Sequence, residues 1–529
     1  MTTGGADAGH SPDVIEPQLQ RPSGRLPAAG VPGEKRRGVT WLLWGALVGV
    51  GTLIRTPQLS HSLPENYRSR QTQTAYVIQK YASDGIDLLS TPLPVFGRDS
   101  NVPLEFPLFQ ALGALLVHTG LSPETAARLL ALISFQVVGV MLSIIVFRWH
   151  GMTVAVAALA LFEFLPFGLY WGTASLLDFF SVALALTMVY FLDRWFNGGS
   201  TLTLLAGSLA AVLAFLVKPT TAPSWSLLLL AAAAMVVYRV GWRGCWKRMA
   251  MGFAVGPGFG LIAATIWTAY ADAVKRGNPL TEFLVSSALV DWNFATPEQR
   301  ANPDIYLAIL DVIGDHIAGP GLVAVALGAV AAIFLASPEQ RIATCGWLLV
   351  ASSAPLVFLN LYLMHTYYLS AIYPAVVAVM AVGLVWAAQR LPRARGQRRA
   401  TAATVALVAL TVVVTGLSTP EARHDINSLF FGPPRPLSGD AIKAMTPKDS
   451  RIVMIGCDWD PRYLYYAQRE GVMFRDATSG KFWETEPIAD YPFLFSCKRD
   501  LDPLPWLPPG YTAVAGGAPD LYRVVRKPE

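Results

Sequence analysis

The sequence predicts a polytopic α-helical membrane protein with about eleven transmembrane helices, followed by a small exterior α/β domain. Two observations lead to this prediction. First, 53% of the 529 residues are hydrophobic, only 15% are charged, and the mean hydropathy is +0.42. A soluble globular chain of this length carries more charge. Second, the basic residues fall in alternate gaps between apolar stretches of membrane-spanning length.

Eleven apolar stretches run from Val39 to about Leu417, each near the length of about 20 residues that crosses a bilayer as a helix. Their approximate limits are 39–56, 126–147, 152–170, 175–193, 201–217, 221–238, 249–270, 318–336, 342–362, 367–389 and 400–418. The seventh contains Gly256-Pro-Gly-Phe-Gly260, which superficially resembles a nucleotide-binding loop. Because no strand precedes it, we expect a kinked helix there.

The distribution of Lys and Arg assigns a side to each gap. Gaps rich in these residues precede span one and follow spans two, four, six, eight and ten, which makes them cytoplasmic by the positive-inside rule. The same rule accounts for the net charge of +5 without nucleic-acid binding. Residues 1–38 are polar and rich in Pro and Gly, so a disordered cytoplasmic tail is expected rather than a signal peptide.

Three long segments are expected on the exterior side, namely a first loop over 57–125, a second loop over 271–317 and a tail over 420–529. The transmembrane domain would therefore cover 39–419. In the tail, the strand-like Arg451–Gly456 is followed by the helix-like Pro461–Glu470, which predicts a soluble α/β domain. Cys457 and Cys497 also lie in the tail and could form a disulfide if it is exported, with two free buried thiols as the alternative.

The first exterior loop contains the charged side chains that could perform chemistry. They include Glu65, Arg68, Arg70 and Glu105. A carboxylate near the membrane surface can deprotonate an acceptor hydroxyl, and an Arg can hold a phosphate through two parallel hydrogen bonds. On composition alone, the alternative is a solvated loop whose charges only keep it hydrated.

Several ionisable residues lie within or at the ends of the predicted spans. Asp178 lies about one turn inside span four, where a charge is costly and usually functional. Glu163 lies deeper and is expected to pair with a basic residue of another span or to be protonated. Arg128 opens span two and is expected to reach outward to the headgroups or to a phosphate.

Two further residues lie at exterior membrane boundaries. Lys218, fixed by Pro219, runs against the positive-inside trend, which suggests either an anionic ligand or a headgroup contact. His365 is followed by Tyr367 and Tyr368. An aromatic belt explains the tyrosines, whereas the imidazole can donate to a phosphate or a sugar hydroxyl.

The motifs as a set resemble a known class of enzymes. Arg70-Gln-Thr-Gln-Thr-Ala75 follows span one, and Leu104-Glu-Phe-Pro-Leu-Phe-Gln110 opens the next helix. Lys218-Pro-Thr, His365-Thr-Tyr-Tyr368 and Asp458-Trp-Asp-Pro-Arg-Tyr-Leu-Tyr-Tyr466 follow later. Over most of residues 39–529 the chain resembles the GT-C class of polyprenyl-phosphate-dependent membrane glycosyltransferases. It is most similar to glycosyltransferase family 39, the protein mannosyltransferase and aminoarabinose-transferase-like group.

The resemblance implies an inverting transfer of a sugar from a polyprenyl-phosphate donor to a cell-envelope glycan, lipid or protein. The reaction would take place at the exterior face of the plasma membrane, where nucleotide sugars are absent. The candidate catalytic acids are Glu105, Glu65 and Asp178. The candidate ligands of the donor phosphate are Arg70, Lys218 and His365. Further candidate substrate-binding residues are Gln71, Arg68, Tyr367 and Tyr368. No cofactor is predicted, a divalent metal has no supporting pattern, and the expected partners are the donor and membrane lipids.

One departure from the family leaves alternatives open. Better-known members carry an acidic pair at the start of the first loop helix, where this sequence has Ser69-Arg70-Gln71. The identity of the base therefore stays open, and a non-catalytic subunit of envelope-glycan assembly remains an alternative. A transporter or flippase of lipid-linked substrates is the other. It would place substrate groups near the bilayer midplane in inverted repeats, whereas this chain concentrates its polar residues at one face.

Overall fold

The computed structural model describes residues 34–63, 67–97, 100–391, 396–418, 420, 421, 423, 424, 427, 437–474, 480–484, 486–498 and 501–527. The chain divides into two compact units, Met1–Gly45 and Ala46–Glu529, and every candidate site residue falls in the second. The candidate acid Glu65 and most of the predicted tail 1–38 lie outside the described residues.

From Glu34 to Ser418 the described chain is mostly helical. In order they are α1 (Glu34–Arg55), α2 (Arg68–Asp84), α3 (Leu108–Val117), α4 (Pro123–His150), α5 (Met152–Phe164), α6 (Pro166–Trp171), α7 (Asp178–Phe196), α8 (Thr201–Val217), α9 (Ala222–Val240), α10 (Trp242–Phe253), α11 (Phe259–Arg276), α12 (Val290–Phe294), α13 (Pro297–Ala301), α14 (Asp304–Ile313), α15 (Leu322–Phe334), α16 (Pro338–Val357), α17 (Leu359–Met364), α18 (Tyr373–Arg390) and α19 (Gln397–Ser418). Each of the predicted spans coincides with at least one of these helices.

Among the described residues, seven helical segments are long and apolar enough to cross a membrane. The third and fifth predicted spans correspond to the shorter apolar helices α5 and α8. Helix α5 ends early because Leu165 precedes Pro166, and a residue before proline favours the extended backbone that Leu165 adopts. The protein is an α-helical membrane protein, as predicted, while the number of eleven spans stays a prediction.

The glycine-rich segment that resembles a nucleotide loop is helical. Residues Ala254–Gly258 form a π-helical turn between α10 and α11, with Pro257 inside it. Proline has no amide hydrogen to donate and its ring crowds the preceding turn, so the helix accommodates it by widening locally. The expected irregular helix is confirmed, and this segment offers no phosphate-binding loop.

The tail forms the predicted α/β domain. Its elements are β1 (Arg451–Ile455), β2 (Glu470–Phe474), β3 (Phe493–Ser496), β4 (Tyr511–Ala518), β5 (Leu521–Arg526), α20 (Leu437–Met445), α21 (Arg462–Ala467) and α22 (Gly480–Trp483). The sheet order is β2-β1-β3-β5-β4. Strand β1 pairs in parallel with β2 and β3, and β5 pairs antiparallel with β3 and β4. The predicted strand corresponds to β1. The helix predicted over Pro461–Glu470 corresponds to α21, which ends earlier because Gln468 takes a left-handed backbone, and Glu470 already belongs to β2.

The tail domain packs against the first long loop. Backbone amides of β2 donate to this loop, from Gly471 to the Pro94 carbonyl at 3.1 Å and from Met473 to the Val95 carbonyl at 2.8 Å. Phe96 of the same loop packs edge-to-face on Phe283 of the second loop, with ring centroids 6.3 Å apart. Residues of all three long segments share one hydrophobic core. They therefore lie together, as a common side of the membrane requires.

The disulfide considered for the tail is present. Cys457 follows β1 and Cys497 follows the neighbouring β3, and their Cα atoms lie 5.0 Å apart. We predict that Cys457→Ser lowers the stability of the tail domain by about 4 kcal/mol, because the bond closes a loop of 40 residues in the unfolded chain. Limited proteolysis should then release the tail faster than in Cys345→Ser, which removes an exposed free thiol. Equal cleavage rates would contradict this expectation.

Candidate active site

Glu105 and Arg70 form an ion pair. Arg70 lies in the first turn of α2, and Glu105 lies in the segment that leads into α3. The guanidinium of Arg70 donates to the Glu105 carboxylate and also to Gln73 Oε1 at 3.1 Å. The two side chains keep about a fifth of their surface exposed, 20% for Arg70 and 17% for Glu105. The acid of one family-like motif therefore directly contacts the base of the other.

The electrostatics of this pair keep both groups charged. Burial opposes ionisation of Glu105, but the positive charges of Arg70 and then Lys218 outweigh it and hold the pKa of its carboxyl below the usual value. Burial likewise opposes the charge on Arg70, while Glu105 holds the pKa of the guanidinium above its usual value. The amide of Phe106, next to Glu105, donates to the carbonyl of Leu216, two residues before Lys218, at 3.1 Å. Glu105 and Lys218 therefore lie in one site, where the positive charge of Lys218 reaches the carboxylate.

Asp178 and Lys218 form a second, deeper ion pair. Lys218 donates to the Asp178 carboxylate, and each side chain is only 4% exposed. Asp178 is the first residue of α7 and Lys218 follows the last residue of α8. The N-terminus of a helix carries a partial positive charge and the C-terminus a partial negative charge. The N-terminus of α7 therefore stabilises the Asp178 carboxylate, and the C-terminus of α8 stabilises the Lys218 ammonium.

Aromatic rings line the other side of Lys218. Its Nζ lies 4.4 Å from the centroid of the Tyr368 ring and 5.3 Å from that of Tyr367. These are cation–π distances, and the negative ring faces stabilise an ammonium in a place with little water. The sequence places these tyrosines in a membrane-interface belt, whereas the structure gives them a specific cationic partner.

His365 stands among aromatic rings beside this pair. Its ring centroid lies 5.5 Å from Tyr67, 5.6 Å from Trp292 and 5.4 Å from Tyr367. Burial, with the positive charges of Arg70 and Lys218, lowers the pKa of His365 to about 4, so the imidazole is neutral at pH 7. Its Nδ1 is buried and has no hydrogen-bond partner among the described residues. A neutral imidazole of this kind can donate to or accept from a ligand.

Gln71 and Arg68 each contact a group outside the two ion pairs. The side chain of Gln71 is fully buried, and its Oε1 accepts a hydrogen bond of 2.9 Å from the Ser175 amide. Gln71 thus fixes α2 to the segment before α7. Arg68 is exposed, and its Nε lies 3.9 Å from Asp460 of the tail domain. The motif of α2 therefore directs Arg70 toward the site and its neighbours toward structural contacts.

The ionisable residues inside the predicted spans have structural partners. Glu163 pairs with Arg55 at 3.0 Å, with both side chains fully buried, which fulfils the expected pairing with another span. Arg128 is buried and donates to the carbonyls of His61, Ser62 and Thr173 at 2.9–3.3 Å. These contacts connect the first long loop to the helices. Arg128 therefore has protein partners and does not need a lipid phosphate as its ligand.

Sequence reasoning missed three groups that build the site. Tyr67 adopts a left-handed backbone (φ 53°), and its hydroxyl donates to the Met364 carbonyl and accepts from the Thr366 amide.

Asp272 and Lys275 form an ion pair at 3.1 Å, and Lys275 also donates to the Leu284 carbonyl at 2.6 Å. These contacts hold the second loop in place. Trp292 reaches His365 from that loop. Of these groups, only the Asp272–Lys275 pair left a signal in the sequence, namely an acid and a base three residues apart at the end of an apolar span.

A metal centre finds no support in the described part of the chain. No group of three or more His, Cys, Asp or Glu side chains there is placed to hold a metal ion. Apart from the Asp272–Lys275 pair that holds the second loop, the ionisable groups of the site are two carboxylates, two cations and one neutral imidazole. Such a set can bind an anion and accept a proton.

Comparison with solved structures identifies the fold. ArnT from Cupriavidus metallidurans bound to undecaprenyl phosphate matches with a TM-score of 0.61 and 15% identity, over 92% of this chain and 97% of that one. This chain has the fold of the GT-C glycosyltransferases. Apo ArnT matches the same fold with a TM-score of 0.54 and 14% identity, over 83% and 86% of the two chains.

A second GT-C protein supports the same assignment. The apo oligosaccharyltransferase of Archaeoglobus fulgidus matches with a TM-score of 0.51 and 13% identity, over 87% of this chain and 70% of that one. No family model and no curated protein matches the sequence. The short motifs predicted a GT-C fold, and the matches to solved structures confirm that fold.

Proposed function

We propose that this protein is a membrane glycosyltransferase that moves a sugar from a polyprenyl-phosphate donor to a cell-envelope acceptor at the exterior face. The observation behind the proposal is that Glu105, Arg70 and Lys218 share one site in a GT-C fold. Arg70 and Lys218 supply two positive charges for the phosphate of the donor. Glu105 supplies a carboxylate that is ionised at neutral pH. The undecaprenyl phosphate bound to ArnT is a lipid of the proposed donor class.

The ion pairs suggest how donor binding activates the base. A carboxylate with a lowered pKa is a weak base, since the most effective general base has a pKa near the working pH. A donor phosphate that contacts Arg70 and Lys218 adds negative charge beside Glu105 and competes with it for the guanidinium. Both effects raise the pKa of Glu105 and strengthen it as a base. Acceptor activation would then follow donor binding.

The remaining candidate residues take supporting roles in this proposal. His365 is neutral and can bond to a phosphate or sugar oxygen through a ring nitrogen. Tyr367 and Tyr368 hold the Lys218 ammonium in place. Asp178 balances the charge of Lys218 until a phosphate arrives. Glu65, which lies outside the described residues, stays an alternative base.

A binding measurement tests the role of the donor lipid. Undecaprenyl phosphate should raise the unfolding temperature of the purified protein, because a ligand that binds only the folded state stabilises it. Undecaprenol has the same chain without the phosphate and should raise it much less. In Arg70→Ala the difference between the two lipids should shrink. Equal stabilisation by both lipids, in the wild type and in the variant, would refute a phosphate site at Arg70.

The exterior location of the site is tested by cysteine labelling in a Cys345→Ser background. Glu298 lies in the second long loop, Arg398 lies near the start of α19, and both are exposed. The alternation of basic residues predicts that an impermeant thiol reagent labels Glu298→Cys in intact cells and labels Arg398→Cys only after permeabilisation. The reverse pattern would invert the assigned orientation and place the site in the cytoplasm.

A further inference from the structure

A groove runs between α9 and α10, and none of the candidate active-site residues lines it. It has a volume of about 730 Å³ and an almost entirely apolar lining, from Leu230 to Tyr238 on α9 and from Trp242 to Phe253 on α10. This volume falls in the range of about 300–1,000 Å³ that small-molecule sites occupy. Its rim residues Tyr238, Trp242 and Trp246 are 60%, 62% and 43% exposed. Such rings favour the membrane–water boundary.

The sequence of α10 places cations next to this apolar lining. Trp242, Trp246, Met249 and Phe253 recur at helical spacing and line the groove. Arg243 and Lys247 each follow one of the tryptophans, four residues apart, so they lie on one adjoining face of the helix. Helix α10 is thus amphipathic, with its basic face along the edge of the groove.

Among the described residues, Arg243 and Lys247 lack the polar protein partners that the neighbouring basic residues have. Arg239 is engaged by Glu339 through two contacts of 2.8 Å, and Arg248 donates to the Trp195 carbonyl at 3.0 Å. Arg243 and Lys247 are exposed, and neither forms an ion pair with any described residue. The Lys247 ammonium lies 5.8 Å from the Trp246 ring centroid, at the edge of the groove.

We infer that this groove binds an anionic phospholipid, with an acyl chain in the apolar channel and the phosphate against Arg243 and Lys247. Charge complementarity selects this occupant. Two unpaired cations beside an apolar channel match a headgroup with a net negative charge better than a zwitterionic one, whose own cation they repel. The basic residues that follow span six by sequence place this site on the side of the membrane opposite to the proposed catalytic site. The inference does not depend on the proposed sugar transfer.

Native mass spectrometry of the purified protein tests the inference. The wild type should retain phosphatidylglycerol in preference to phosphatidylcholine when both are supplied equally. The double variant Arg243→Gln/Lys247→Gln should retain phosphatidylglycerol at least about ten-fold less, because each basic residue near an anionic headgroup favours binding several-fold. Ala234→Trp should also abolish retention, since Ala234 lines the groove and is exposed, so a larger side chain fills the channel without entering the core.

The control variant is Arg398→Gln/Arg399→Gln, which removes two exposed basic residues that do not line the groove. It should retain phosphatidylglycerol as the wild type does. Equal retention of the two phospholipids, or undiminished retention in both groove variants, would overturn the inference. Displacement of phosphatidylglycerol from the groove by one equivalent of undecaprenyl phosphate would also overturn it, because the groove would then belong to a polyprenyl lipid.

Discussion

Glu105→Gln is expected to lower the rate of sugar transfer by about 10²–10⁴, the range that removal of a positioned general base typically costs. The substitution keeps the shape of the side chain and one acceptor oxygen, and it removes the negative charge. It leaves Arg70 without its anionic partner, so binding of the donor phosphate should be kept or strengthened. The expected signature is a fall in kcat without a rise in the KM for the donor.

The pH dependence of the wild type gives a second signature of the same residue. The pKa of Glu105 is lowered by Arg70 and Lys218 against the effect of burial, so kcat/KM should stay flat down to below pH 4.5, the unperturbed value. His365 titrates in the same acidic range, at about 4, and the variant His365→Asn separates its contribution. A bound phosphate raises the pKa of Glu105, so the acid limb of kcat should lie at higher pH than that of kcat/KM.

Glu105→Gln also has a matched control within the chain. Gln73 accepts from the same guanidinium as Glu105 does, and Gln73→Leu removes that hydrogen bond without changing charge. It should lower activity far less than Glu105→Gln. Full activity in Glu105→Gln would move the role of base to Glu65 or Asp178. Full activity in all three acid-to-amide variants would remove the acid–base mechanism altogether.

Lys218→Ala is expected to destabilise the folded protein by about 3–5 kcal/mol as well as weaken donor binding, because it leaves the buried Asp178 without its counter-charge. The sequence alone predicts only the second effect, since the pairing of these residues depends on how α7 and α8 pack. Thermal unfolding in detergent measures the first effect and binding of undecaprenyl phosphate measures the second.

The two consequences of losing Lys218 can be separated by removing both charges. Asp178→Leu/Lys218→Met replaces the pair with apolar side chains and should recover most of the lost stability. It should not recover phosphate binding. Arg239→Ala provides the stability control, because its pair with Glu339 is about a third exposed and should contribute about 1 kcal/mol or less. A double variant that binds undecaprenyl phosphate as the wild type does would exclude Lys218 from the donor site.

The elements that follow from local pattern were predicted well. Long apolar runs located the helices, and a short apolar, strand-like run followed by a helix-like segment located β1 and α21. Breaks inside the runs were harder to predict, since α5 ends where Leu165 takes an extended backbone before Pro166. A hydropathy window averages over such a break, so two short helices and one long span look alike in the sequence.

The site was only partly predictable, because its contacts join distant segments. The motifs nominated Arg70 and Glu105, but nothing in their spacing indicates that they pair across 35 residues. Gln71 was nominated with Arg70 because the two are adjacent, yet neighbouring helix positions point about 100° apart, and Gln71 contacts Ser175 instead. Tyr67 and Trp292 carry no charge and belong to no motif, so only the packing of three loops identifies them.

A transfer assay separates a glycosyltransferase from a flippase and from a non-catalytic subunit. Purified wild-type protein and Glu105→Gln, each in lipid discs, are supplied with a panel of polyprenyl-phosphate sugars and with envelope glycan, lipid or protein acceptors. We expect at least one donor to transfer its sugar in the wild type, with polyprenyl phosphate released. Glu105→Gln should lose this activity while still binding undecaprenyl phosphate. Movement of an intact lipid-linked sugar across the bilayer without cleavage of its phosphate bond, or transfer that Glu105→Gln leaves unchanged, would contradict it.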